Sequence, residues 1–448
     1  MKTELKKLHL TLLCALISSL TFCQVKLPKT PTVSNFQVIT PYLGLSKSNL
    51  PNINLPNTNF PTSQPNGMAI YEQDRRLVEK QQSELKEIYA ELNADRINCN
   101  LPSYGNIEST KNYRKAFDRL TELNAENFSV KKATFIIENA YFEGKQNYEE
   151  FENVVKQTGD FLRAKMNELG YDQNRNLAKN FMLFQFFSDT LEIKSNNLKH
   201  LPFKYDFEDY LGIEDWSKMF VSKLLATGKG QCNSLPRLYL ILAEEIGAEA
   251  FLSLSPNHSY IKFRDEDDNW YNVELTNGMF TTESMILQSG FIKSEALQSG
   301  IYMQQMSEKQ LLSQLLSDFA QGYARKFGYD PFVKKVIDKS LELYPNSITA
   351  NMINSNYLTI QFEYVAKQVG INPRDSNDLQ NIRHYPNLVK LLNNVNSQYT
   401  KVDDLGFEFM SAEAYQNWLA SLKESKQQQN SEEMKKQFNI KLQKPFKN

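Results

Sequence analysis

Residues 226–280 read ATGKGQCNSLPRLYLILAEEIGAEAFLSLSPNHSYIKFRDEDDNWYNVELTNGMF, and the patterning of this stretch decides the fold. Gly228 and Gly230 make a flexible turn ahead of Cys232. From Leu235 the apolar residues fall at Leu235, Leu238, Leu242 and Ile246, spacings of 3, 4 and 4 that belong to an amphipathic helix entering a core. Proline is tolerated only in the first turn of a helix, so Pro236 requires a start at about Cys232, and Gly247 closes the far end. Ala248–Leu254 and His258–Phe263 read as strands. The acidic run between Arg264 and Asn269 reads as a solvated hairpin turn, and Trp270–Leu275 is a third strand, stopped by Asn277 and Gly278. Trp270 is expected to pack in the core. A helix packed on an antiparallel sheet places the chain in the α+β class.

The same elements bring a nucleophile, a base and an acid into one neighbourhood. Cys232 stands at a helix N-terminus, where unpaired N–H groups and the helix dipole favour the thiolate. His258 opens one strand and Glu274 lies near the end of the next. A thiolate that attacks a carbonyl carbon, an imidazolium that holds it and then protonates the leaving group, and a carboxylate that orients the ring form a Cys–His–acid triad. The N–H of Cys232 and its neighbours would hold the oxyanion. Gln231 is a candidate site-lining residue, and Asn272, two residues before Glu274 on the same strand face, is an alternative orienting group.

Gly-x-Gly-Gln-Cys before an apolar helix, Pro-Asn-His opening a strand, and Trp-Tyr-Asn-Val-Glu-Leu-Thr resemble the core of the transglutaminase-like superfamily of papain-like cysteine enzymes. The order Cys, His, acid and the spacings of 26 and 16 residues suit that core. The resemblance implies that Cys232 is the nucleophile, His258 the base and Glu274 the acid, acting without a cofactor on an amide bond of a peptide or protein substrate. Three departures narrow the reaction. The acid is more usually Asp, Asn233 stands where cross-linking members carry an aromatic, and no calcium-loop pattern is visible. The implied function is an exported, bacterial-type cysteine hydrolase or acyl-transferase rather than a calcium-dependent cross-linker. The alternative is an inactive form of the fold that serves as a protein- or peptide-binding module. A disulfide between Cys99 and Cys232 would favour that alternative, because these are the only cysteines beyond residue 23.

Outward from this core the chain divides by composition. Lys2, Lys6 and Lys7 precede the apolar run Leu10–Phe22, a pattern that reads as a signal peptide over residues 1–23 and as export to the periplasm or beyond. Lipidation at Cys23 is the alternative, and bulky Phe22 fits it poorly. Residues 24–69 carry seven of the sixteen prolines and read as an extended Pro/Asn-rich linker. Residues 70–129 read as a helical region, with Leu77, Leu85, Ile88 and Leu92 forming a narrow stripe on the helix over 71–95. The core is expected over 130–300, with helices near 129–143, 147–169 and 175–191. Ser129 and Asn147 are N-caps there, and Gly170 is a C-terminal glycine. Residues 281–308 read as irregular. Residues 301–422 are helical and partly repeat-like, since Leu316–Tyr344 resembles a tetratricopeptide-type hairpin that could engage a protein partner. Residues 423–448 read as a charged tail.

Composition excludes several classes. A net charge of −1 offers no basic face for nucleic acid. No apolar run beyond the first thirty residues is long enough to span a bilayer. Two cysteines and the three histidines His200, His258 and His384 beyond residue 23 assemble no zinc pattern, and Gly-Lys-Gly at 228–230 lacks the ending of a phosphate loop.

Overall fold

A computed structural model describes residues 67–94, 97–195 and 197–428. The signal peptide, most of the linker and most of the charged tail lie outside the described residues. In chain order the helices α1 (Gly67–Ala94), α2 (Thr110–Thr121), α3 (Val130–Tyr141), α4 (Tyr148–Leu169) and α5 (Asn176–Ser188) precede the short strands β1 (Leu191–Ile193), β2 (Leu198–His200) and β3 (Lys204–Tyr205). Then come α6 (Val221–Thr227), β4 (Lys229–Gly230) and α7 (Ser234–Ile246). A four-stranded antiparallel meander follows, of β5 (Phe251–Ser255), β6 (His258–Arg264), β7 (Trp270–Glu274) and β8 (Met279–Thr281). The rest is helical: α8 (Glu283–Leu287), α9 (Ser294–Gln298), α10 (Glu308–Phe327), α11 (Pro331–Leu343), α12 (Ile348–Gln368), α13 (Ser376–Leu379), α14 (Pro386–Asp404) and α15 (Ala412–Gln428). The class is therefore α+β.

Local chemistry sets the boundaries. Ser129 Oγ accepts the N–H of Lys132, Asn147 caps α4 through Glu149 N–H, and Gly170 takes the left-handed conformation past the end of α4. Asp330 caps α11 by accepting from Phe332 and Val333, with Pro331 in the first turn. It also receives Tyr104 N–H and the Tyr323 hydroxyl, so one buried carboxylate fastens the chain ahead of α2 to the α10–α11 hairpin. Inside the sheet, Ile261, Phe263 and Val273 are wholly buried beneath α5 and α7. Pro256 and Asn257 form the two-residue turn between β5 and β6, with Asn257 at φ 56°.

Several expectations are corrected. The helix near 175–191 ends at Ser188, because Leu191–Ile193 pairs with Leu198–His200 as a hairpin. A fourth strand, β8, follows the Gly278 turn. Residues 281–308 are not irregular throughout: α8 and α9 lie there, and Met303 and Met306 N–H donate to Leu254 and Leu252 C=O beside β5. The acidic turn is not simply solvated, since buried Asp265 accepts from Asp267 N–H, Asn269 N–H and the Tyr271 hydroxyl. Trp270 is 43% exposed rather than packed in the core. The apolar stripe of α1 at Leu77, Leu85 and Ile88 also faces solvent. Packing does not follow divisions at 130 and 300: α2 and α3 share a core with α10, α11 and α12, while α15 joins the core of α5, α7 and the sheet. No helix among the described residues is long and apolar enough to cross a membrane.

Candidate active site

The site forms where the first turn of α7 meets the start of β6 and the end of β7. Gly230 pairs with Tyr205 in the parallel β3–β4 contact and leaves no room for a side chain. A Cβ there would sit 2.9 Å from Ser234 Oγ and 3.0 Å from Leu224 and Leu235 side-chain carbons. This close approach lets the strand run straight into the helix. Gln231 N–H donates to Ser234 Oγ at 2.9 Å, and Leu235 N–H donates to Gln231 C=O at 3.0 Å. Cys232 therefore stands on the first turn, one residue before the Asn233 cap position. Among the described residues, the N–H groups of Cys232 and Asn233 donate to no protein acceptor. They leave a small positive region at the start of the helix.

Two ties hold that helix start in place. Ser259 Oγ, on β6, donates to Cys232 C=O. On the far side, buried Arg237 pairs with Asp318 of α10, which also accepts from Asn233 Nδ2 at 3.2 Å and Gln314 Nε2 at 3.0 Å. The Cys232 sulfur is half-buried and lies 3.8 Å from Asn257 C=O in the turn before His258. Cys99 and Cys232 are both free thiols, which corrects the disulfide alternative; Cys99 packs in a separate core against α12 and α14.

His258 and Glu274 meet as a buried pair. The β6–β7 register pairs Ile261 with Val273, so Glu274 falls opposite Tyr260, one diagonal step from His258. His258 Nε2–H donates to Glu274 Oε2 at 2.7 Å, and Glu274 Oε1 accepts the N–H of Thr276 at 2.8 Å. Burial works against an imidazolium, but the Glu274 carboxylate and the neighbouring Cys232 sulfur outweigh it and raise His258 to about 10. Burial likewise opposes ionisation of Glu274, and the imidazolium overcomes it, holding the carboxyl below the usual range. The pair is an ion pair at neutral pH, with Nδ1 left for a second partner.

The other expected residues lie close by with different partners. Gln231 is fully buried; its Nε2 reaches Glu208 C=O at 3.4 Å, and its Oε1 has no partner. Asn272 donates to Thr281 C=O at 3.5 Å, so the group that holds the ring is Glu274. What sequence reasoning missed comes from α15. The Tyr415 hydroxyl lies 3.1 Å from His258 Nδ1 and 3.4 Å from the Tyr205 hydroxyl, and the Trp418 ring meets the imidazole edge-on at 4.8 Å. Burial, together with Cys232, pushes the Tyr415 phenol far above its ordinary range, so it stays neutral and keeps its O–H. The signal was present in the 3, 1, 3 spacing of Tyr415, Trp418, Leu419 and Leu422, which marks one apolar helix face.

No family model, curated protein or solved structure matches this chain.

Proposed function

We propose that the protein is a transglutaminase-like cysteine hydrolase or acyl-transferase that acts on an amide bond of a peptide or protein substrate. The observation that carries this reading is the His258–Glu274 ion pair beside a half-buried thiol at a helix N-terminus. Cys232 supplies the nucleophile, His258 the acid and base, and Glu274 the charge that keeps the ring protonated and oriented. The thiolate attacks the amide carbon, a C–S bond forms, and the carbonyl π pair moves to oxygen. That oxyanion is received by the N–H groups of Cys232 and Asn233. Collapse breaks the C–N bond as the leaving amine takes the His258 Nδ1 proton, giving a thioester and a neutral imidazole. Water or an acceptor amine then attacks the thioester, returns a proton to His258 and restores the thiolate.

The apolar run at Leu10–Phe22 supports an exported location for this chemistry. The second reading, an inactive fold that binds a peptide or protein, is favoured by one observation: α15 covers the imidazole. Trapping a covalent intermediate separates the two. With an activated acyl ester, intact-mass analysis should show one acyl group on Cys232, lost in Cys232→Ala and removable by hydroxylamine. A chain that never acquires the acyl group, even with the Tyr415 contact removed, belongs to the second reading.

A further inference from the structure

Helix α15 reaches the site from 157 residues away in sequence and brings to it a side chain that no step of the proposed reaction requires. The Tyr415 hydroxyl sits 3.1 Å from His258 Nδ1, and the nearby Cys232 helps to keep the phenol protonated. With the imidazolium donating Nδ1–H to the phenol oxygen, Tyr415 engages the proton that the proposed reaction must deliver to a substrate. The atom that a leaving amine would need to occupy, within hydrogen-bond reach of Nδ1, is already filled. Trp418 closes the ring from its edge.

The seat under α15 is formed largely by residues around the candidate site. Tyr210 stacks on Tyr415 at 5.5 Å and reaches Ala412 C=O at 3.4 Å. Tyr205 approaches the Tyr415 hydroxyl, and Asn257 Nδ2, next to His258, donates to Met410 C=O at 2.9 Å on the segment that leads into the helix. One feature of the docked helix is unsatisfied: the indole N–H of Trp418 is buried without an acceptor.

Resting on the cysteine-enzyme reading above, we propose that α15 is a built-in plug of the substrate cleft, and that the site becomes competent when Tyr415 leaves His258 Nδ1. The cleft it vacates, walled by Tyr205, Tyr210 and Asn257, takes a peptide segment that presents an aromatic side chain, as α15 does.

The test uses the full chain carrying Cys99→Ser, so that Cys232 is the only thiol beyond residue 23. Cys232 is acylated by an activated ester in six backgrounds: unaltered Tyr415, Tyr415→Phe and Tyr415→Ala, each with and without His258→Ala. Tyr415→Phe keeps the packing and removes only the hydroxyl on His258 Nδ1, so it reads the plug even where Tyr415→Ala loosens the fold. A plug gives acylation at least tenfold faster in Tyr415→Phe, faster again in Tyr415→Ala, with the gain abolished by His258→Ala. Acylation that is unchanged or slower in Tyr415→Phe, with an unaltered circular dichroism spectrum, overturns the plug and makes Tyr415 a positioning residue. If acylation is instead indifferent to His258→Ala in every background, the triad reading fails, and the plug proposal falls with it.

Discussion

At the scale of single residues, the buried pair of His258 and Glu274 carries the most consequence. Glu274→Gln leaves an imidazolium buried without its counter-charge, and breaking a buried pair in this way costs about 3–5 kcal/mol. Urea unfolding at neutral pH should show that loss. The pH dependence has a definite sign. His258 is raised above its ordinary value, so the stability it adds is whole below about 6.5 and is lost as pH rises through about 10. Glu274 is held below its ordinary value, so its share is present above about 4.5 and is lost as pH falls through the lower native value. The stability gap between the unaltered chain and His258→Gln should therefore shrink between pH 6.5 and 10. A gap that widens over that range contradicts the ion pair. These two residues, with Cys232, could be picked from the sequence because histidine and cysteine are scarce here and the strand pattern orders them. For Tyr415 only the apolar helix face was legible, since a tyrosine 157 residues from His258 carries no local mark of where its hydroxyl will point.

At the scale of elements, the position of Cys232, the proposed nucleophile, depends on how tightly β4 feeds α7. Gly230→Ala forces a methyl group against Ser234, Leu224 and Leu235, and overpacking of this kind costs about 1–3 kcal/mol. It should also displace Cys232, so thiol reactivity should fall by more than the loss of stability alone explains, measured by pairing urea unfolding with alkylation rates. The α7 helix and strands β5 to β7 were readable because apolar period, Pro236, Gly247 and the Pro256-Asn257 turn agree with one another. Strand β8 was not readable, since three residues after a glycine turn are too short to show alternation. Asp265 was misread because an acidic run looks solvated until one carboxylate is seen to organise the turn beneath it.

At the scale of the whole molecule, the C-terminal helices complete cores that begin in the N-terminal half. Asp330 is the clearest fastening, a fully buried carboxylate that serves Tyr104, Tyr323 and the start of α11. Asp330→Ala removes a helix cap and orphans buried donors, a loss of about 2–4 kcal/mol. Because α2 and α3 share that core, the same variant should weaken the N-terminal helices together with α10 and α11, seen as hydrogen exchange accelerating in both. Composition suggested separate regions at 130 and 300, because a linear reading sees changes of pattern but not which helix returns to pack on which core. The helix that returns, α15, lands on the proposed catalytic groups. The most direct measurement of the central claim is the rate of Cys232 alkylation by iodoacetamide from pH 4 to 9 in the full chain, alone and with His258→Ala. The expected result is labelling that persists well below the free-thiol pKa of about 8.5 and loses that persistence when His258 is removed. An ordinary thiol profile that His258→Ala does not change would contradict the Cys232–His258 pair.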